Sequence, residues 1–480
     1  MKYFLGVIIF LSLSQIAFSK FVNQDQARTV AYHHWQTLNN VSGPDAMQLV
    51  YTGRSTLNNA VITDFYVFGI QDAAGFVMVA ADDNITPILA YSTDNNFIPA
   101  SMPENLANWL EGYKLQINDV ISTNYTATQS VTLKWNNLLS GQIVHAAAKT
   151  TSYGAIPPLF AVLWGQETYY DSLCPYDNNA GARTITGCVA TAMAQVLRYW
   201  KWPKTGTGSH SYMPSNAALG TQTVNFAHQT YLWDSMPNNL SKNNYQVANV
   251  MYSCGVSVDM SYGVTASGAY VTKSQSPYQN CTETALPAYF RYSTNIHGED
   301  RGNYTDSQWI QLIYNDLVLR HPIIYSGFGS QGGHCFVLNG CDNFYRFYFN
   351  WGWTGNSNGY YTLDALNPGG MDFNSSHAAV FGIYPDTLAP ASVPTISSAT
   401  QQNTIVLSPN PANNVLQVQA TSAIQTILLS DITGKVCLTQ NCSAAQNTVT
   451  LNTANLPAGL YMVQTRCADY TSYNKVLIAR

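Results

Sequence analysis

The chain has 480 residues, enough for about three domains, and carries a formal net charge of −5 with 10% charged against 12% aromatic residues. That balance gives no electrostatic case for nucleic acid or for anionic membrane surfaces as partners. The polar surface must come largely from Asn, Gln, Ser, Thr and Tyr, and there are 32 Tyr.

In chain order, Met1-Lys2 precedes an apolar run from Phe4 to Ile16, and Ala17-Phe18-Ser19 has the small-residue pattern of a cleavage site. Residues 1–19 therefore read as a signal peptide, too short to span a bilayer. No later stretch is long and apolar enough to form a transmembrane segment. Residues 20–148 have patterns of their own. Thr63 to Ile70 and Gly75 to Ala80 predict paired strands, and Pro103 to Ile117 predicts a helix with Leu106, Trp109, Leu110 and Tyr113 on one face. This is a folded unit of domain size. The stretch from Gln142 to Ala155, which includes Lys149, is loosely patterned.

The most informative feature follows at Thr186-Gly187-Cys188-Val189-Ala190. Val189, Ala192, Met193, Val196, Leu197 and Trp200 recur at helical spacing, and Pro203 stops the helix soon after Lys201. Cys188 thus sits at a helix N-terminus, where unpaired amides and the positive dipole end favour thiolate over thiol. Gly187 leaves room for another backbone beside the sulfur. Upstream, Gln166 is a candidate side-chain donor to a developing oxyanion, with the Cys188 amide as the second donor, although spacing alone does not single it out.

A thiolate nucleophile needs an imidazole, and Gly333-His334-Cys335-Phe336-Val337 supplies one on a predicted strand. A hairpin symmetric about Asp342 would place Asn350 opposite His334, where its amide would orient the ring as in a Cys-His-Asn system. Trp351 comes next and would shield that bond from water. Gly327, Gly329 and Gly332 satisfy G-x-G-x-x-G, but a strand follows instead of a helix, so the dinucleotide reading fails and a mobile loop beside His334 is expected. Nine cysteines leave one unpaired in an exported chain, which a catalytic thiol would account for. No CxxC or HExxH pattern suggests a metal site, and the predicted chemistry needs no cofactor. Residues 387–403 lie in a Pro/Ser/Thr/Ala-rich linker, and residues 404–480 read as short strands of a small β-sandwich.

The segments Leu163 to Pro175, Gly187 to Pro203, Gly255 to Gly263, Gly333 to Asp342 and Asn350 through Pro368 resemble streptopain-like cysteine peptidases. The resemblance implies an α+β chain with a papain-like catalytic domain over residues 149–386 and endopeptidase activity on protein or peptide substrates. It implies Cys188 as nucleophile, His334 as general base and acid, Gln166 in the oxyanion hole, and Asn350 and Trp351 supporting the histidine. Cys335 stands where a small residue such as Ala is usual. Gly75 to Asp83 and Pro87 to Ser92 resemble the inhibitory propeptide of the same family, which places an α+β propeptide domain at residues 20–148, binding its own enzyme and released within the Gln142 to Ala155 stretch. Ser408 to Ala412, Asp431 to Lys435, Leu456 to Tyr461 and Lys475 to Arg480 resemble the sorting domain of type IX secretion cargo, which implies that secretion machinery as a partner and an extracellular or cell-surface location. A Cys-His-Asn transferase or amidase, and a catalytically silent surface binding module on the same scaffold, stand as alternatives.

Overall fold

The computed structural model describes residues 21–39, 43–142, 154–276, 280–329, 332–364, 377–386, 405–431, 436–467 and 471–479. The signal peptide, the 387–403 linker and positions 143–153 of the expected release stretch lie outside them. The chain forms two compact units, divided between Ala391 and Ser392. Among the described residues no helix is long and apolar enough to cross a membrane.

The first unit is organised by one antiparallel ten-stranded sheet. Its strands, in chain order, are β1 (Met47–Leu57), β2 (Ala60–Ile70), β3 (Phe76–Ala80), β4 (Ile88–Ser92), β5 (His297–Asp300), β6 (Ile323–Gly329), β7 (Gly332–Cys341), β8 (Phe347–Asn350), β9 (Gly359–Tyr361) and β10 (Ala378–Phe381). Their spatial order is β1-β2-β3-β4-β9-β8-β7-β6-β10-β5. The N-terminal four strands therefore join the later six edge to edge, through Tyr91 opposite Tyr360 and Ala90 opposite Tyr361. Strands β3 and β4 are buried along their whole length, as their apolar runs require when both faces are covered.

Three helices accompany the N-terminal strands: α1 (Gln24–Gln36), α2 (Glu104–Thr123) and α3 (Gln129–Ser140). Asn23 caps α1 in a capping box with Gln26, and Thr128 caps α3. Helix α2 buries Asn105, Leu106, Trp109, Leu110, Tyr113, Gln116, Ile117 and Val120, one stripe at three- and four-residue spacing. The expected face is present, but it extends onto the later strands: Trp109 packs in the same core as Tyr325, Phe336, Phe349 and Trp351.

A second core holds α4 (Cys188–Trp200) and α5 (Tyr245–Ser257) on the other side of β7. Helix α4 is buried continuously from Val189 to Leu197 and ends at Lys201 in the left-handed region. Pro203 follows two residues later, as the breaker pattern predicts. Helices α6 (Thr282–Phe290) and α7 (Asp306–Val318) complete this unit, α7 with a Thr305/Gln308 capping box.

The second unit is five antiparallel strands, Ile405–Ser408, Val415–Asp431, Val436–Asn452, Gly459–Cys467 and Thr471–Ile478. Two of the expected short strands are one 17-residue strand, Val415–Asp431, with a break in pairing between Gln419 and Ile424. Leu416, Val418, Ile427, Leu429 and Val463 fill its interior.

Candidate active site

Cys188 is the first residue of α4, and Gly187 before it has φ +85. A side chain at that glycine would meet the Ser267 carbonyl at 2.8 Å and the Met260 sulfur at 2.9 Å, so close packing of the Met260–Gly268 turn demands glycine there. Thr186 ties the upstream loop to the helix start: its N–H donates to the Gln166 carbonyl at 3.0 Å and its hydroxyl to the same oxygen at 3.2 Å. Thr191, one turn into α4, donates to the Gly187 carbonyl at 3.0 Å. Gln166, buried to 4% exposure, is thereby tied through its carbonyl to Thr186, two residues before Cys188.

The backbone amides of Cys335, the residue after His334, and of Val189 and Cys188 itself lie near enough to the Cys188 sulfur to favour its charged form. Helix position alone predicts a depressed thiol. Burial instead pushes the Cys188 thiol above its ordinary value; those amides pull it down and Glu104 of α2 pushes it up. Desolvation outweighs the helix terminus here.

His334 lies on β7, and alternation along that strand decides where it points. Cys335 and Val337 enter the core around α4, whereas Phe336 and Leu338 enter the core that contains α2. His334 shares the parity of Phe336, and its Nε2 lies 2.6 Å from Asn108 Nδ2 of α2. Among the described residues no hydrogen bond joins it to Cys188. Burial lowers the imidazole to about 4, so it is neutral at pH 7.

The expected pairing of Asn350 with His334 is corrected. Strand β7 continues through Gly340 and Cys341, and Val337, not His334, lies opposite Asn350. The hairpin turns around Phe344 because both Phe344 N–H and Arg346 N–H donate to Asp342 Oδ1, at 2.8 and 2.9 Å, while Asp342 N–H donates to the Arg346 carbonyl. The three-residue offset puts Asn350 and His334 on opposite faces of the sheet. Asn350 donates to the Val162 carbonyl at 2.7 Å and accepts from Gly352 N–H at 3.1 Å.

Trp351 is fully buried and donates to the Ser357 carbonyl at 3.0 Å. It shields no His334–Asn350 bond in this form. Its ring packs on Phe336 at 4.7 Å and Phe349 at 5.1 Å, and its carbonyl accepts from Asn105 of α2 at 2.7 Å. The glycine-rich stretch is not a loose loop either: Gly327 pairs with His334 and Gly329 with Gly332 in the β6–β7 hairpin, with positions 330 and 331 outside the described residues. Gly327 is needed because a side chain there would reach the His377 ring at 2.8 Å.

Sequence reasoning missed the residues of α2 that meet the His334 strand: Asn108 contacts His334, and Asn105 donates to the Cys335 carbonyl at 3.4 Å. Trp109 stacks on His377 at 5.1 Å and meets Phe349 at 4.9 Å, Phe336 at 5.8 Å, Tyr325 at 6.1 Å and Trp351 at 6.3 Å. The available signal was polar Asn105 and Asn108 flanking the apolar stripe of a helix. Among the described residues no group of His, Cys, Asp and Glu is arranged to hold a metal ion.

Comparison with known proteins matches three family models in order: a Spi protease inhibitor over residues 19–117, the Peptidase C10 family over 164–361, and a secretion system C-terminal sorting domain over 407–479. Streptopain from Streptococcus pyogenes serotype M1 is 31% identical over 345 residues, covering 67% of this chain and 81% of streptopain. The thiol protease/hemagglutinin PrtT of Porphyromonas gingivalis is 29% identical over 343 residues, covering 69% of this chain and 38% of that protein. A solved fragment of prointerpain A from Prevotella intermedia is 32% identical with a TM-score of 0.55, covering 70% of this chain and 99% of the fragment. The sorting domain marks a secreted or cell-surface bacterial protein. With its inhibitor domain in front of its peptidase domain, the chain belongs to the peptidase C10, or streptopain, family of cysteine peptidases.

Proposed function

We propose that this zymogen of a secreted cysteine endopeptidase uses Cys188 as nucleophile and His334 as general base and acid, and that the structure is its latent form. The observation that carries the assignment is Cys188 as the first residue of α4, its sulfur near the amide of Cys335, the residue after His334. With the propeptide docked, both groups are neutral and the imidazole is engaged by Asn108. Removal of α2 frees the imidazole from Asn108, and a twist of the β7 end then carries it to the Cys188 side of the sheet, where Asn350 takes up its supporting role beside Trp351. Proton transfer from sulfur to imidazole then gives the thiolate–imidazolium pair.

In that form the sulfur attacks the peptide carbonyl carbon, and the carbonyl oxygen, now negative, is held by the Cys188 amide and the Gln166 side chain. The C–N bond breaks as His334 gives its proton to the leaving amine. Water, deprotonated by His334, releases the acyl group from sulfur. The Met260–Gly268 turn, packed against Gly187 and pinned by Ser267 Oγ donating to the Ile185 carbonyl at 2.8 Å, is the wall we assign to a hydrophobic substrate residue two positions before the cut.

The maturation cut falls between Gln142 and Gly154. Helix α3 ends at Ser140, whereas Ile156 and Cys341 exchange both backbone hydrogen bonds at 2.8 Å and Leu159 N–H donates to the Asn339 carbonyl at 2.7 Å, so the chain from Gly154 onward is built into the catalytic part. Family membership argues against the transferase and silent-module alternatives. The site is tested by alkylation with iodoacetamide and peptide mass mapping. Cys188 is expected to label first among the nine cysteines after maturation and slowly before it; equal labelling of Cys188 in both forms contradicts the assignment.

A further inference from the structure

Beyond the His334 contact, two more histidines lie where propeptide and catalytic residues meet, His34 buried and His377 half-buried. His34 of α1 is 5% exposed, and its Nε2 is buried without a hydrogen-bond partner. Its ring meets the edge of Tyr91 of β4 at 5.0 Å, and the Arg346 guanidinium of the catalytic part lies over that same Tyr91 ring at 4.8 Å. Asp342, the carboxylate paired with Arg346, is engaged through both oxygens. Its Oδ2 accepts from Arg346 Nε at 2.8 Å and Tyr91 hydroxyl at 3.2 Å, and its Oδ1 accepts the two backbone N–H groups of the turn. A proton on His34 would therefore face the Arg346 guanidinium, whose carboxylate partner Asp342 is already engaged.

His377, in the catalytic part, is capped by Trp109 of α2. Its Nδ1 lies 3.3 Å from the Tyr325 hydroxyl, and its charged neighbour is Arg301, which pairs with Asp306 and Asp364. His334 stands beside it, across the β6–β7 pair from Gly327.

We propose that propeptide docking is proton-linked, so that acid loosens the inhibitor from the enzyme, with His34 and His377 taking up protons on release alongside His334. This rests on the N-terminal domain being the inhibitory propeptide. Burial, and then Arg346, hold His34 well below the ordinary histidine value; burial, and then Arg301, hold His377 at about 4. The sign follows from linkage. Groups depressed in the docked state leave docking at full strength above about pH 6.5 and weaken it as pH falls toward 4. His334, held at about 4 when docked and moving to about 6.5 on release, weakens docking about 20-fold between pH 7 and pH 5. For His377 the factor is smaller, since Arg301 stays with it.

The test uses the full-length Cys188→Ala protein, nicked by an added protease in the stretch before Gly154, with the retained propeptide measured by size exclusion and dilution from pH 7.5 to pH 5. The expected result is tight retention at pH 7.5 and an affinity that falls by more than tenfold by pH 5. His34→Phe and His377→Phe should each flatten that fall by one proton. His34→Gln gives the same reading if the Phe variant does not fold. A parent affinity independent of pH, or variants with the parent's slope, overturns the proton linkage. Loss of the propeptide already at pH 7.5 would instead overturn the inhibitory docking on which it rests.

Discussion

Replacing Trp109 with Ala should release the enzyme from its inhibitor without altering the enzyme. The indole is 8% exposed, and four aromatic rings and the His377 imidazole, all of the catalytic part, surround it at 4.9 to 6.3 Å, whereas on its own helix it meets Tyr113 at 6.2 Å. Truncating a buried Trp to Ala costs about 3–5 kcal/mol. Because the neighbours are mostly across the junction, about 3 kcal/mol of that falls on docking, which at 1.4 kcal/mol per decade weakens it about 100-fold. The tether partly hides the change in the intact chain, since a linked domain acts at a local concentration on the order of millimolar. The assay follows chain mass and casein cleavage over time for both proteins at low concentration. The variant should process itself tens of times faster, and its matured form, having lost Trp109 with the propeptide, should match wild type in kcat/KM. A folded variant that matures at the wild-type rate refutes the assignment of Trp109 to the inhibitory contact.

Asn108→Ala removes the 2.6 Å contact with His334 and, at about 1 kcal/mol net for a hydrogen bond, should weaken docking about fivefold in the same assay; unchanged inhibition contradicts it. Gly187→Ala forces a side chain onto the Ser267 carbonyl at a backbone angle that disfavours one, so both melting temperature and kcat/KM should fall, and a variant equal to wild type in both argues against the packing described. Gln166→Ala should lower kcat of the matured enzyme about 10²- to 10³-fold with little change in KM, whereas an unchanged kcat removes it from the oxyanion site.

The features legible in the sequence are those set by local periodicity. Helix α4 starts at Cys188 because the apolar stripe and Pro203 bracket it, and β2, β3 and α2 follow their own patterns. The placing of Asn350 went astray for a different reason. Turn length depends on how Asp342 Oδ1 gathers two backbone amides, a contact that no residue count reveals, and an offset of three residues is an odd number that reverses the face. The latent state was also invisible. Nothing in the pattern of α2 says that Trp109 serves the neighbouring domain's core instead of its own, or that Glu104 and burial would outweigh the helix terminus at Cys188. Long-range docking decides both.

The most direct test of the central claim compares full-length protein with its Cys188→Ala variant under mild reductant, following casein cleavage and chain mass together. Wild type should cut casein and lose the region before Gly154, while the variant stays intact and inert yet is trimmed normally by added matured enzyme. A variant that still cleaves casein, or a wild type that stays inert after its propeptide has been removed, contradicts the assignment of Cys188 as the nucleophile.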